Sequence, residues 1–191
     1  MFDVKHDSRK HARLVAGGHM TEKLDPEKST FSMVTLDSIR LGFLAKEMMW
    51  FNCLIIGDIN SAYIQAYTRK NVYTIAGPEF DPLQWFLLIV DKTLYGLQGS
   101  GNAWHRKLSD DLHDMGFRPS KADTDLWVRK TGDYYEFIGV FVDDITVFSK
   151  DPKVVLRPWL QGTSIQIQTQ DHGIQGLWTS HILHRQPVCC D

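Results

Sequence analysis

Cysteines are few in this chain, and their positions exclude two kinds of site. Only three occur among the 191 residues, at Cys53, Cys189 and Cys190. Three thiols cannot build a disulfide framework, and an adjacent pair does not match the spacing of zinc ligands. We therefore expect a reducing, intracellular location, either cytoplasmic or nuclear.

Long apolar runs and an excess of basic charge are also lacking. The longest apolar stretch, near residues 48–56, is interrupted by Asn52, whereas a membrane span needs about 20 residues. Because the first residues are polar, we expect no signal peptide and no membrane partner. The net charge of −2 gives no overall basic field for nucleic acid, although a local basic groove would not show in this sum.

The apolar residues that are present recur with two periods. Steps of three and four residues predict helices over residues 36–48 and 104–115, the second ended by Gly116. Short apolar or β-branched runs predict strands, among them one that ends at Asp58 and one on each side of residues 143–144. The order strand, helix, strand, strand, helix, strand, strand predicts an α+β fold with helices on one face of an antiparallel sheet.

An acidic pair, Asp143 and Asp144, lies between two of these predicted strands and so falls at the tip of a tight hairpin. Carboxylates lose hydration when they are buried, so the tip is either in water or beside a cation. Asp58 also follows a predicted strand, and neighbouring strands would bring the three carboxylates together as oxygen ligands for Mg²⁺. Side chains alternate along a strand, so we expect Asp143 to be a stronger ligand than Asp144. A solvated turn and a cation site both remain open here.

Several ordered sequence blocks resemble one family, the copia-type LTR-retrotransposon reverse transcriptases. The resemblance covers roughly residues 2–152 and rests on blocks at residues 12–18, 58–63, 73–80, 94–105, 116–123 and 141–144. It implies a right-hand polymerase fold with fingers and an antiparallel palm sheet. It also implies an RNA-directed DNA polymerase domain of a retrotransposon polyprotein, whose partners are an RNA template, a DNA primer and dNTPs.

The same resemblance implies roles for single residues. It assigns Asp58, Asp143 and Asp144 as catalytic residues and as ligands of two Mg²⁺ ions. It assigns nucleotide binding to Arg13, Tyr63, Gln98 and Ser100. Tyr63 falls where the family places an aromatic ring against the ribose 2′-hydroxyl, and Arg13 suits the triphosphate because of its forked guanidinium.

The chain departs from the family pattern in three places. Phe141 stands where a tyrosine is usual, and Gly101 stands where many relatives have proline. After residue 156 no thumb is recognisable, so we expect a fingers and palm domain over residues 1–156 and an irregular tail over 157–191. The alternative function is a catalytically inactive, truncated relic that keeps only the palm scaffold.

Overall fold

The computed structural model describes residues 2–4, 10–12, 14–18, 31–51, 53–160 and 167–170. Within it the chain divides into two compact units. The first comprises Met1–Phe31 and Ser61–Leu108, and the second comprises Ser32–Asn60 and Ser109–Asp191. No helix in the described ranges is both long and apolar enough to cross a membrane.

Two small antiparallel ribbons and two helices make up the described part of the first unit. The ribbons pair β1 (Phe2–Val4) with β2 (Lys10–Ala12), and β4 (Tyr67–Ile75) with β5 (Leu87–Lys92). The helices are α2 (Ala62–Gln65) and the start of α3 (Ser100–Asp114), and Pro78–Leu83 is a 3₁₀ segment. Val15 adds an isolated parallel bridge to Tyr95.

A six-stranded antiparallel sheet forms the second unit. The strand order is β10-β3-β9-β8-β7-β6. In chain order these strands are β3 (Cys53–Ile59), β6 (Arg118–Pro119), β7 (Leu126–Thr131), β8 (Tyr134–Phe141), β9 (Asp144–Ser149) and β10 (Ile167–Gln170). The mixed α/β architecture and the antiparallel sheet are as the sequence predicts. The acidic pair does lie where two strands meet, since β8 and β9 form a hairpin.

Helix α1 (Leu36–Met48) packs on the two central strands of this sheet. It begins at Thr35, whose side chain accepts a hydrogen bond from the Ser38 N–H. Gly42 lies against the ring of Phe148, where a β-carbon would approach to 2.6 Å. Phe43 packs edge-on against the same ring, with centroids 5.4 Å apart. The predicted helix over residues 36–48 is therefore confirmed.

Strand β9 is covered on both of its faces, which differs from our expectation of a sheet covered on one face. All five of residues 145–149 are buried. Since successive side chains in a strand point to opposite faces, consecutive burial requires packing on each side. The alternating pattern that would have shown an open face is missing from this strand, whose residues 145–148 are Ile, Thr, Val and Phe.

A buried ionic network joins three strands at the end of the sheet far from the acidic pair. Glu136 on β8 is 3% exposed. It accepts hydrogen bonds from Arg129 and Thr131 on β7 and from Ser149 on β9, at 2.6–2.9 Å. Burial alone would raise the pKa of Glu136, but these donors outweigh it and lower that pKa below its ordinary value.

The tail contains more regular structure than we expected. Helix α4 runs over Pro152–Leu160, so the boundary predicted after residue 156 would fall inside it. Strand β10 then pairs with β3, and Gln168 lies opposite Asp58. Residues 167–170 are therefore not irregular, because β3 offers them an edge for backbone pairing that local sequence does not reveal. Residues 171–191 lie outside the described part, and the division at 156 stays a prediction.

Candidate active site

The acidic pair sits at a two-residue turn between β8 and β9. Phe141 and Asp144 are register partners, so Val142 and Asp143 form the turn itself. Val142 has a φ of 59°, in the left-handed region that β-branched residues rarely adopt. We call residues 141–144 the acidic turn. Its backbone is strained at a position where hairpins usually carry Gly, Asn or Asp.

Strand β3 brings the third carboxylate to this turn. Asp58 is the direct register partner of Asp144 across β3 and β9. Directly opposite residues place their side chains on the same face of a sheet, about 5 Å apart at Cβ. The Ile59 N–H donates to the Asp143 carbonyl at 2.8 Å, which fixes the turn to the end of β3. The structure thus gathers Asp58, Asp143 and Asp144 at one rim.

The pKa of Asp144 is affected by the other two carboxylates at the rim. Burial, together with the neighbouring carboxylates of Asp143 and Asp58, raises the pKa of Asp144 to about 6. Each of these causes disfavours the charged form of Asp144. A cation placed among the three groups would reverse the effect, because opposite charge favours ionisation.

The donors at the rim are carboxylate oxygens, a ligand type that Mg²⁺ prefers, but the described residues form no preformed metal site. Among the described residues, no group of three or more His, Cys, Asp or Glu side chains is arranged so that it could hold a metal ion. Mg²⁺ commonly takes only one or two carboxylates and completes its shell with waters and substrate phosphates. Binding of Mg²⁺ at this rim together with a phosphate-bearing substrate therefore stays a prediction. That Asp143 binds more strongly than Asp144 stays a prediction.

Tyr63 lies in the first unit, on the short helix α2 that follows β3 and Ser61. The side chain is half-buried, and its ring packs edge-to-face on the ring of Tyr95 with centroids 4.7 Å apart. The Thr93 hydroxyl donates to the Tyr63 carbonyl. The Tyr63 ring is therefore held by packing against Tyr95, and the Tyr63 backbone is held by Thr93.

Gln98 lies in the loop that leads into α3, and Ser100 is the first residue of that helix. The Gln98 side-chain amide donates to the Gly18 carbonyl at 3.2 Å. The Ser100 hydroxyl is buried and donates to the Leu94 carbonyl at 2.8 Å, so it closes the loop at the start of the helix. Trp104, in the same block, is 1% exposed and belongs to the core. Arg13 lies outside the described residues.

Two features, one in the acidic turn and one in the loop before β7, were not visible in the sequence. The left-handed backbone of Val142 carries no local signal, because valine is not a residue that turn rules associate with positive φ. Asp123 belongs to the sequence block at residues 116–123, and it accepts hydrogen bonds from Thr35 and Ser38 at the start of α1, far away in sequence. Such long-range bonds leave no periodic trace in one sequence.

The geometry thus consists of an antiparallel sheet with three aspartates at one rim. The family model described as reverse transcriptase (RNA-dependent DNA polymerase) matches residues 2–159. The chain belongs to this family, and its resemblance to the copia-type LTR-retrotransposon members is confirmed.

The similar curated proteins are transposon proteins of plants and yeast. The chain is 31% identical over 181 residues to the Retrovirus-related Pol polyprotein from transposon RE1 of Arabidopsis thaliana, covering 90% of this chain and 12% of that protein. It is 30% identical over 169 residues to the corresponding RE2 polyprotein, covering 86% of this chain and 11% of that protein. A putative transposon Ty5-1 protein of Saccharomyces cerevisiae is 26% identical over 105 residues, covering 52% of this chain and 33% of that protein. No solved structure shows a significant match.

Proposed function

We propose that this chain provides the fingers and palm of an RNA-directed DNA polymerase and that Asp58, Asp143 and Asp144 hold two Mg²⁺ ions for nucleotidyl transfer. One observation carries the proposal, namely the strand register that sets Asp58 opposite Asp144 beside the turn that contains Asp143. Family membership supports the same reaction. The chain spans only about an eighth of the RE1 and RE2 polyproteins, so the activity is proposed for this segment alone.

In the proposed reaction, the 3′-hydroxyl of a DNA primer attacks the α-phosphate of a dNTP that is paired with an RNA template, and pyrophosphate leaves. Asp58, Asp143 and Asp144 would hold Mg²⁺, which would supply charge compensation for this displacement. The chain's own contribution is to hold three carboxylates at fixed positions, with the Asp143 carbonyl bonded to Ile59. Positioning of this kind suffices, because phosphoryl transfer needs little covalent work from the protein.

The sugar of the incoming nucleotide is the proposed neighbour of Tyr63. A ring held against Tyr95 has little freedom to move aside. A ring in that place leaves no room for a 2′-hydroxyl and so favours dNTPs over ribonucleotides. We propose that Gln98 and Arg13 contact the nucleotide as well. The Ser100 hydroxyl is already bonded to Leu94, which favours a role in shaping the loop over a direct contact.

A second candidate is a catalytically inactive relic that keeps only the palm scaffold. The net charge of −2 favours it, because polymerases use basic surfaces to neutralise the phosphates of template and primer. The two candidates differ in whether the folded chain extends a primer.

Primer extension on an RNA template with dNTPs and Mg²⁺ tests both candidates. We expect wild-type extension to fall at least about 100-fold in Asp58→Asn and in Asp143→Asn. The matched control is Asp133→Asn, which changes an exposed aspartate between β7 and β8. Equal extension by all variants would refute the assigned roles. No extension by folded wild type would leave the relic as the better description.

A further inference from the structure

Asp123 is a buried carboxylate that accepts four hydrogen bonds from two separate segments. It lies in the loop between β6 and β7 and is 9% exposed. One oxygen, Oδ2, accepts from the Thr35 N–H and hydroxyl, both at 2.9 Å, and from the Ser38 hydroxyl at 2.5 Å. The other oxygen, Oδ1, accepts from the Asp125 N–H at 3.0 Å. We call Asp123, Thr35, Ser38 and Asp125 the Asp123 cluster.

The cluster holds its carboxyl in the charged form. Burial alone would raise the pKa of Asp123, but the hydrogen bonds from Ser38, Thr35 and Asp125 lower it below the ordinary value. Charged acceptors make stronger hydrogen bonds than neutral ones. The two segments are therefore tied firmly to one another through a single side chain.

Both of these segments bind the backbone of Val140, the residue just before the acidic turn. The Val140 N–H donates to the Asp125 carbonyl at 3.0 Å, and the Val140 carbonyl accepts from the Val34 N–H at 2.8 Å. Asp125 bonds to Asp123 directly, and Val34 adjoins Thr35. The N–H and the carbonyl of Val140 are thus bound by two segments, and Asp123 holds both of these segments through hydrogen bonds.

The acidic turn needs support of this kind because it is strained. The φ of 59° at Val142 persists only where surrounding contacts determine the backbone. On the β3 side, the Ile59 N–H holds the Asp143 carbonyl. On the β7 side, the bonds to Val140 are the corresponding restraint. The acidic turn is therefore restrained by hydrogen bonds both from the β3 side and from the β7 side.

We propose that Asp123 is a positioning residue, which holds the acidic turn in its strained conformation through Asp125, Val34 and Val140. The structural part stands on the hydrogen bonds alone, whereas the effect on catalysis rests on the proposed polymerase function. A plain helix cap would stabilise α1 and the whole unit without acting locally on Val140. A positioning role and a capping role therefore differ in which amides become less protected when Asp123 is replaced. Loss of positioning affects Val140 locally, whereas loss of a cap affects the whole unit.

Amide hydrogen exchange in the full chain separates these roles. In Asp123→Asn, only one oxygen acceptor remains for two sets of donors. We expect the Val140 amide to exchange at least about tenfold faster relative to the slowest amides, which report global unfolding. The matched control is Glu136→Gln, which weakens an equally buried carboxylate at the other end of β8 and should leave this ratio unchanged. The same ratio in both variants would overturn the proposal.

A second pair of variants serves if Asp123→Asn does not fold. Thr35→Val removes one hydroxyl donor from Asp123, and Thr131→Val removes the corresponding donor from Glu136. Faster exchange of the Val140 amide in the first variant than in the second supports the proposal, and equal exchange overturns it.

Primer extension then tests the catalytic part. We expect Asp123→Asn to lower kcat at least about tenfold, while the KM for dNTP changes by less than about twofold. The control variant Glu136→Gln should keep the kcat of wild type. Faster exchange at Val140 with an unchanged kcat would overturn the positioning role. If wild type extends no primer, the proposed function fails, and the exchange comparison alone decides whether Asp123 holds the turn.

Discussion

At the residue scale, Val142 and the three aspartates lie at one rim of the sheet, where β3 meets the hairpin of β8 and β9. Val142 holds a left-handed backbone, and Asp144 is partly buried beside two other carboxylates. Each of these arrangements costs stability in the absence of a ligand. Unfavourable backbone and charge concentrated at one place are typical of a functional site rather than of a structural turn.

Replacing Val142 by glycine should stabilise the chain. Glycine adopts a φ of 59° without steric cost, so we expect Val142→Gly to raise the free energy of unfolding by about 1 kcal/mol. Urea unfolding measures this change. Val128→Gly, at an ordinary position of β7, is the control and should lower stability by about 1 kcal/mol or more. A loss of stability in Val142→Gly as large as in the control would contradict the account of strain.

Replacing Tyr63 by alanine should weaken discrimination between sugars. Removing the ring opens space beside the ribose, so we expect incorporation of ribonucleotides relative to dNTPs to rise about 10- to 100-fold. Single-nucleotide primer extension measures the ratio. Tyr73→Ala removes an exposed tyrosine from the same unit and should leave the ratio as in wild type. An unchanged ratio in Tyr63→Ala would remove the assigned role.

At the element scale, β8 is fixed at both of its ends by buried acids. Near its start, Glu136 joins it to β7 and β9, and near its end Val140 is bound by segments tied to Asp123. Both acids have pKa values below their ordinary range despite burial, because hydrogen-bond donors surround them. The strand that carries the acidic turn is therefore restrained by ionised groups.

The Glu136 network makes the stability of the sheet depend on pH. The folded pKa of Glu136 lies below its ordinary value of 4.5, so its contribution is present above that pH and is lost as pH falls through the lower folded value. We expect Glu136→Gln to cost about 2 kcal/mol at pH 7 and progressively less as the pH falls below 4.5. Urea unfolding across this pH range measures the difference. Glu47→Gln, at an exposed glutamate, should cost under about 0.5 kcal/mol throughout, and a constant cost for Glu136→Gln would contradict this explanation.

The sequence predicted elements better than it predicted their pairing. The helix over residues 36–48 was visible because its apolar period is local, and the β8–β9 hairpin was visible from its two flanking runs. The register of Asp58 with Asp144 was not, because β3 and β9 are far apart in the chain. The pairing of β10 with β3 and the bonds from Asp123 to α1 are long-range in the same way. Local patterns carry no information about such contacts.

At the scale of the whole molecule, the proposed functional residues are divided between the two compact units. The second unit contains Asp58, Asp143 and Asp144, whereas the first contains Tyr63, Gln98 and Ser100. The family model spans both sets, since it matches residues 2–159. The central claim, however, concerns the second unit alone, because a cation site among the aspartates requires no residue of the first.

Binding of Mn²⁺, a paramagnetic substitute for Mg²⁺, tests that claim most directly. Electron paramagnetic resonance measures the loss of the free-ion signal on titration with the full chain, and nucleotide is omitted so that the protein supplies the ligands. We predict that Asp58→Asn and Asp143→Asn each weaken Mn²⁺ binding at least about tenfold and that Asp133→Asn leaves it unchanged. Equal Mn²⁺ binding by wild type and all three variants would contradict a cation site at the acidic turn.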